Sequence, residues 1–452
     1  MVDSARFDVV VIGMGPGGEV AASRLLDAGL RVAVVERELV GGECAYWACI
    51  PSKTLLRPPE ARAEARGAAG LRTPDLDWPA LRAYRDTMVR HLDDTRQVDG
   101  YRERGATVLR GTARVVGRDP WRVEAAGQLL TADHVVVATG SAAVRPPIEG
   151  LDAAEVWTNR EATALTEIPE RAVLVGGGAV GVELAYFLAG MGTRVTLAQR
   201  GDRLLTREEP RVGELAADLL GRAGVTVRTG TQVRRVRREG AATVVDFDNG
   251  THEPTDVVVL GTGRRPRTDG LGLEEVGVEV GARGLAVDER CRVADGLWAA
   301  GDVTGVALFT HVAKYQGRVV ADGILGRDRR ADYTGVPRVV FAEPEIAAVG
   351  LTAEQAAAAG IETVTAEVDL AENLARPWTY ETEPRGVLGL VADRRRRTVV
   401  GAWAVAPLAG EWIHTAALAV RAGLTVDHLD SGIAQFPTYS EGYALAAERL
   451  GL

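Results

Sequence analysis

One pattern constrains this chain more than any other: strand, glycine turn, helix and second strand, written twice at the same spacing. In the first copy, Phe7 to Ile12 reads as a strand and Gly13-Met14-Gly15-Pro16-Gly17-Gly18 as the turn. A helix from Glu19 to about Asp27, closed by Gly29, leads to a strand from Arg31 to Val35 that ends at Glu36. In the second copy, Ala172 to Val175 is the strand and Gly176-Gly177-Gly178-Ala179-Val180-Gly181 the turn. A helix from Val182 to about Gly190 leads to the strand Arg194 to Ala198, ending at Gln199. Glu36 lies 23 residues after Gly13, and Gln199 lies 23 after Gly176. These are two βαβ units of one design.

A glycine turn between strand and helix lets backbone N–H groups approach a pyrophosphate at the helix's positive end. Gly13, Gly15, Gly18, Gly176, Gly178 and Gly181 are therefore candidate dinucleotide contacts. The competing reading is tight strand–helix packing with no ligand. Each unit is also followed by an apolar strand entering a glycine turn, His134 to Ser141 and Asp256 to Gly263. Thr139, Gly140 and Gly263 join the candidates. The two strand ends differ in charge. Glu36 can accept hydrogen bonds from ribose hydroxyls, as in an adenosine site for FAD or NAD. Gln199 is neutral and is followed by Arg200 and Arg203, which suits a 2′-phosphate and favours NADPH over NADH. The alternative is that both arginines are simply solvated.

At 452 residues the chain has room for about three domains. Its net charge of −9 argues against nucleic acid or a membrane surface as partner. No long apolar run suits a bilayer span, and the N-terminus enters a strand without a secretory pattern, so a cytoplasmic location is expected. Gly296 to Asp302 reads as another apolar strand, ending at Gly301-Asp302. Beyond Asp332 the character changes to grouped strands (339–341, 387–392, 398–405) with a helix over 409–422. Thr352-Ala353-Glu354-Gln355 fits a capping box.

Three cysteines, Cys44, Cys49 and Cys291, are too few for a secreted disulfide scaffold. Lys53 and Lys314 are the two lysines of a chain otherwise rich in arginine. Cys44 and Cys49 lie within Gly41-Gly42-Glu43-Cys44-Ala45-Tyr46-Trp47-Ala48-Cys49-Ile50-Pro51-Ser52-Lys53. Two cysteines five positions apart can pair across the first turn of a helix, and a thiol at a helix N-terminus has a lowered pKa. Metal binding competes with this, but two clustered cysteines with no histidine pair nearby make a poor ligand set, and no metal is expected. Inert buried thiols are the remaining reading.

The stretch Gly-Gly-x-Cys-x4-Cys-x-Pro-Ser-Lys, set between two dinucleotide units, resembles the flavoprotein disulfide reductases. This family of pyridine nucleotide–disulfide oxidoreductases includes dihydrolipoyl dehydrogenase and mercuric reductase. The resemblance covers almost the whole chain. It implies an α/β fold with two Rossmann-like domains and a C-terminal α+β dimerisation domain. The boundaries would be 1–150 with 271–331 for FAD, 151–270 for NAD(P), and 332–452 for the homodimer interface. It implies that Cys44 is the interchange thiol, Cys49 the flavin-facing thiol, and Lys53 a flavin neighbour paired with Glu183. Gly301 and Asp302 resemble the second FAD motif. His311 has either a flavin-side role or a packed structural one.

The pattern breaks near the C-terminus. Thiol–disulfide members carry His-Pro-Thr-x-x-Glu, whose histidine is the acid–base, supplied by the other subunit. Here the segment reads Phe436-Pro437-Thr438-Tyr439-Ser440-Glu441. Phenylalanine moves no proton, and general acid–base help is worth about 10²–10⁴-fold. Efficient turnover of lipoamide or glutathione is therefore not expected, although reduction of the cysteine pair needs no such base. Mercuric reductase carries an extra C-terminal cysteine pair that this chain lacks, which also argues against mercury reduction. Tyr46, Trp47 and Phe436 suggest a planar or apolar acceptor such as a quinone, unless Trp47 packs inward. Tyr439 and His311 are candidate proton sources. The expected activity is an FAD enzyme passing electrons from NAD(P)H through Cys44 and Cys49 to a small acceptor. A dithiol oxidase and a non-enzymatic redox sensor are the alternatives.

Overall fold

The computed structural model describes residues 5–240 and 242–452. The chain divides into two compact units, each assembled from separated stretches. The first comprises Met1–Pro51, Ala83–Val144 and Gly263–Asp332, and the second Ser52–Arg82, Arg145–Thr262 and Tyr333–Leu452.

In the first unit, valine-rich strands buried on both faces form the parallel centre of a sheet, as continuous apolar runs require. Its order is Arg292–Ala294, Leu297–Ala299, Gln128–Val137, Ala5–Ile12, Val32–Glu36, Thr107–Arg110, and the edge strand Arg292–Ala294 alone on this path runs antiparallel to its neighbour. Val9 to Ile12 pair with Val32 to Val35 on one side and with His134 to Val137 on the other. An antiparallel meander, Ala113–Gly117 and Trp121–Ala125, extends from the long strand Gln128–Val137. The helices Pro16–Asp27 and Thr310–Ile324 belong to this unit. Gly317 brings them close, since a Cβ there would lie 2.5 Å from the Gly17 carbonyl oxygen.

The second unit repeats the arrangement. Thr226–Arg228, Arg194–Ala198, Arg171–Val175, Val257–Leu260 and Val156–Trp157 form a wholly parallel sheet in that order. The same unit holds a five-stranded antiparallel sheet ordered Pro337–Val340, Glu345–Gly350, Val399–Ala406, Val387–Asp393, Thr363–Asp369. The strands Glu345–Gly350 and Thr363–Asp369 add to those expected from the sequence, and the second alternates polar and apolar residues throughout. The capping box at Thr352 is present, its hydroxyl accepting from the Gln355 N–H at 3.1 Å. The expected helix over 409–422 is two pieces, Ala409–Trp412 and His414–Ala422. Ile413, Ala417 and Val420 are buried, as the apolar face predicts.

Candidate functional site

The glycine turns define the first part of the site. Gly13 has φ +95°, and a Cβ there would sit 2.5 Å from the Ala138 carbonyl oxygen. A Cβ on Gly18 would collide with the Gly13 carbonyl oxygen. Gly15, between them, is open: the nearest atom to a Cβ would be Gly42 Cα at 4.0 Å. Gly176 and Gly181 repeat the first and third constraints against Gly261 and Gly176, and nothing lies within 4 Å of a Cβ on Gly178. Gly15 and Gly178 cap the helices Pro16–Asp27 and Ala179–Gly190, with no side chain accepting at either end. Two helix N-termini thus keep backbone N–H groups beneath open space, which is the cradle a dinucleotide pyrophosphate needs.

The strand-end residues reach back to these turns. Glu36 is 8% exposed. Its Oε2 accepts the Met14 N–H at 2.7 Å and its Oε1 the Glu38 N–H at 2.8 Å. Gln199 Oε1 accepts the Gly177 N–H at 3.0 Å. Arg200 is exposed, while Arg203 donates to the Thr206 carbonyl at 3.4 Å and has a buried Nε without a hydrogen-bond partner.

Beside the first turn, Thr139 Oγ1 donates to the Arg267 carbonyl at 2.6 Å, and the Arg267 N–H donates to the Gly140 carbonyl at 2.9 Å. The Gly301 N–H donates to Gln316 Oε1 at 2.7 Å. Asp302 Oδ2 accepts from Ser141 Oγ at 2.5 Å, and burial raises its carboxyl above the usual aspartate range. Gly263 (φ +112°) has nothing within 4 Å of where a Cβ would stand.

Cys44 lies on the short helix Gly42–Tyr46, and Cys49 is the first residue of the helix Cys49–Gly67. Both are partly buried cysteines. Thr310, at the start of the helix Thr310–Ile324, places its hydroxyl 3.1 Å from Cys44 Sγ and 3.2 Å from Cys49 Sγ. One hydroxyl thus bridges both sulfurs. The neighbouring Cys49 sulfur and then burial push the Cys44 thiol up, so Cys44 holds its proton. Cys49 sits at the positive end of its helix, where a thiolate is favoured. Tyr46 turns away from any acceptor: it is 2% exposed and donates to the Val40 carbonyl at 3.0 Å. Trp47 tilts against the Tyr46 ring at 5.7 Å and is partly buried, the inward packing that competes with a substrate-facing role.

One turn further along the same helix, Lys53 Nζ meets Glu183 Oε2 at 2.6 Å, the pairing that the family resemblance implies. Glu183 Oε1 accepts the Phe341 N–H at 3.1 Å, and Lys53 Nζ lies 4.6 Å from the centre of the Phe341 ring. His311 is exposed and stacks on Phe309 at 5.1 Å.

At the C-terminus Phe436 is 67% exposed. Glu441 Oε2 accepts the Thr438 N–H at 2.9 Å in a capping box, so this carboxylate serves its own turn. Tyr439 is 4% exposed and stacked 6.1 Å from Trp412, with its hydroxyl buried and unpartnered. Burial pushes that hydroxyl up, which suits packing better than proton transfer.

Three groupings are not legible in the sequence. Thr310 reads there only as part of a helix start. Glu43 pairs with Arg264 and Arg267, more than 200 positions along the chain. Glu60, Glu64 and Glu343 offer oxygens within 4.8 Å of one another. Burial and then the Glu64 and Glu60 charges raise Glu343 to about 8, while Arg57 pairs with both Glu60 and Glu64 at 3.1 Å.

Paired dinucleotide cradles and a dithiol bridged at a helix N-terminus define a nucleotide-dependent thiol–disulfide oxidoreductase. Residues 7–317 match the family described as pyridine nucleotide-disulphide oxidoreductase, and residues 336–447 match its dimerisation domain. The chain belongs to this family, whose enzymes use FAD and NAD(P)H. It is 39% identical to a mercuric reductase of Streptomyces lividans over 98% of this chain and 96% of that one. It is 36% identical to a dihydrolipoyl dehydrogenase of Thermus scotoductus, over 98% and 97%. Among solved structures it resembles the HOCl-induced flavoprotein disulfide reductase RclA of Escherichia coli (TM-score 0.86, 27% identity, covering 98% and 99%). LpdA of Mycobacterium tuberculosis is similar (TM-score 0.87, 29% identity, covering 99% of each). Among the described residues no helix is long and apolar enough to cross a membrane.

Proposed function

We propose that this chain is an FAD-dependent NAD(P)H oxidoreductase whose Cys44–Cys49 pair cycles between disulfide and dithiol and passes two electrons to a small acceptor. The observation that carries this reading is Thr310, whose hydroxyl lies within hydrogen-bond reach of both sulfurs. FAD and NAD(P)H, held at the two glycine turns, supply hydride and two-electron chemistry. The chain's own residues handle the sulfurs and their protons. Opening the disulfide consumes two electrons and one proton, leaving Cys44 as thiol and Cys49 as thiolate. The raised Cys44 and the helix N-terminus at Cys49 both favour that split. Thr310 donates to whichever sulfur carries the charge. Lys53, fixed by Glu183, supplies a positive charge one turn beyond Cys49.

NADPH is the favoured donor, because the Gln199 carboxamide takes the backbone contact that a carboxylate takes in the first unit without adding negative charge. Residues 1–150 with 271–331 form the FAD domain, 151–270 the NAD(P) domain and 332–452 the homodimer interface of a cytoplasmic enzyme. Exposed Phe436 stands where the family's thiol–disulfide members carry the acid–base histidine, so the acceptor is one that takes its protons from solvent rather than from that side chain: a quinone-like or reactive disulfide compound.

Anaerobic addition of NADPH, followed separately by a quinone, lipoamide, a small dithiol and mercuric ion, tests this reading. Rapid reoxidation by quinone or a reactive disulfide, with lipoamide at least about 100-fold slower, is the expected result. Fast lipoamide turnover would remove the argument from Phe436, and oxidation of the dithiol would reverse the assigned direction. Fast turnover with mercuric ion alone would move this chain to the activity named for the Streptomyces relative.

A further inference from the structure

Glu43 lies one residue before Cys44 on the helix Gly42–Tyr46. Its side chain is 18% exposed, with Oε1 3.2 Å from Arg264 Nη2 and Oε2 3.6 Å from Arg267 Nη2. The guanidiniums are themselves 20% and 24% exposed. Arg264 Nε donates to Ser141 Oγ at 2.7 Å, and Ser141 Oγ donates to Asp302 Oδ2 at 2.5 Å. Arg264 Nε also lies 3.9 Å from Asp302. Arg267 is pinned through its backbone to Thr139 and Gly140. Two carboxylates and two guanidiniums thus form one charge-balanced group, drawn from separate stretches of the first unit.

Ion pairs at an exposed surface contribute little and are screened by salt. This group is mostly shielded, so its charges act on their surroundings more strongly. Removing one partner leaves the other uncompensated beside the cysteine turn. A carboxylate adjacent to Cys44 disfavours the dithiol–thiolate form of the couple, and guanidiniums favour it.

We propose that Glu43 is a positioning residue whose charge, balanced against Arg264 and Arg267, sets the reduction potential of the Cys44–Cys49 couple. This rests on the reading of that pair as redox-active. The sequence hides the arrangement because Arg264 and Arg267 lie more than 200 positions from Glu43.

The test equilibrates flavin-loaded protein with dithiothreitol and its oxidised form. The dithiol transfers two electrons and two protons to the Cys44–Cys49 bond and itself becomes the cyclic disulfide. Quenching by alkylation and mass analysis then counts free Cys44 and Cys49, while flavin absorbance reports cofactor content. Glu43→Gln is expected to move the equilibrium toward dithiol by about three- to tenfold, and Arg267→Gln to move it by a similar factor toward disulfide. The double variant should return near wild type, and Glu43→Asp should stay close to it. Single variants shifting in the same direction, or none shifting by as much as about twofold, would overturn the proposal. Loss of flavin from every variant with an unmoved sulfur equilibrium would also overturn it and assign the network to cofactor retention. If the wild-type chain forms no Cys44–Cys49 bond under any of these conditions, it is the functional reading that fails.

Discussion

The two βαβ units share a backbone and differ in one atom of chemistry. Both place the end of the second strand against the N–H that follows the first glycine, at 2.7 Å for Glu36 and 3.0 Å for Gln199. Both leave the middle glycine open and pack the third against the first. Glu36 brings a second oxygen, spent on the Glu38 N–H at 2.8 Å, and a negative charge. Gln199 brings an amide nitrogen and no charge. On the proposed reading the shared part builds a dinucleotide cradle, and the differing part selects what the cradle takes.

The sharpest way to separate the two units is to fill one turn at a time. Gly181→Val places carbon against the Gly176 carbonyl oxygen. It should leave flavin content per subunit near that of the wild type and slow reduction by NADPH by more than about 100-fold in rapid-mixing experiments. Gly18→Val should instead yield protein without flavin. Equal flavin loss in both variants would mean that the two turns do not serve separate nucleotides.

Exchanging the strand-end residues acts more gently. Gln199→Glu restores the carboxylate, and titrations should show NADPH binding weakened by about 10- to 100-fold with NADH little changed. Glu36→Gln should weaken FAD by about tenfold, since one charged acceptor is lost but the backbone contact can remain. Arg200→Ala, at an exposed position, should raise the KM for NADPH by only about two- to fivefold and should flatten its salt dependence. Unchanged NADPH affinity in both Gln199→Glu and Arg200→Ala would assign the preference to other residues.

A smaller effect concerns stability and pH, at the carboxylates Glu60, Glu64 and Glu343. Burial holds Glu343 up to about 8, and burial also raises Glu60, Glu345 and Glu381. A carboxyl that stays protonated in the folded chain but ionises on unfolding stabilises the fold at low pH and loses that contribution as pH rises. Stability should therefore decline from the ordinary glutamate range up to about pH 8. In denaturant titrations Glu343→Gln should flatten this decline, and an unchanged slope would place the raised proton elsewhere.

Much of this architecture is legible in the sequence because its signals are local. Glycine spacing, valine runs and the Cys44 to Lys53 motif each lie within a few turns of chain, whereas Glu183 comes only from the family resemblance. The Lys53–Glu183 contact is present as expected. What stays hidden depends on tertiary placement. Thr310 reaches the sulfurs from more than 250 positions away. Nothing in the local pattern of Tyr439 distinguishes a packed ring on Trp412 from a proton donor. The strand Thr363–Asp369 alternates polar and apolar residues, a local signal, but its register comes only from its partner strand Val387–Asp393.

The proposed chemistry requires that Cys44 and Cys49 form one two-electron couple fed by the nucleotide. Mass mapping of the oxidised chain, alkylated before and after one equivalent of NADPH per subunit under anaerobic conditions, decides whether they do. The expected result is a linked Cys44–Cys49 peptide at the start and both cysteines alkylated after NADPH, with Cys291 unchanged. Unlinked cysteines in the oxidised protein, or a bond that NADPH leaves intact, would contradict it.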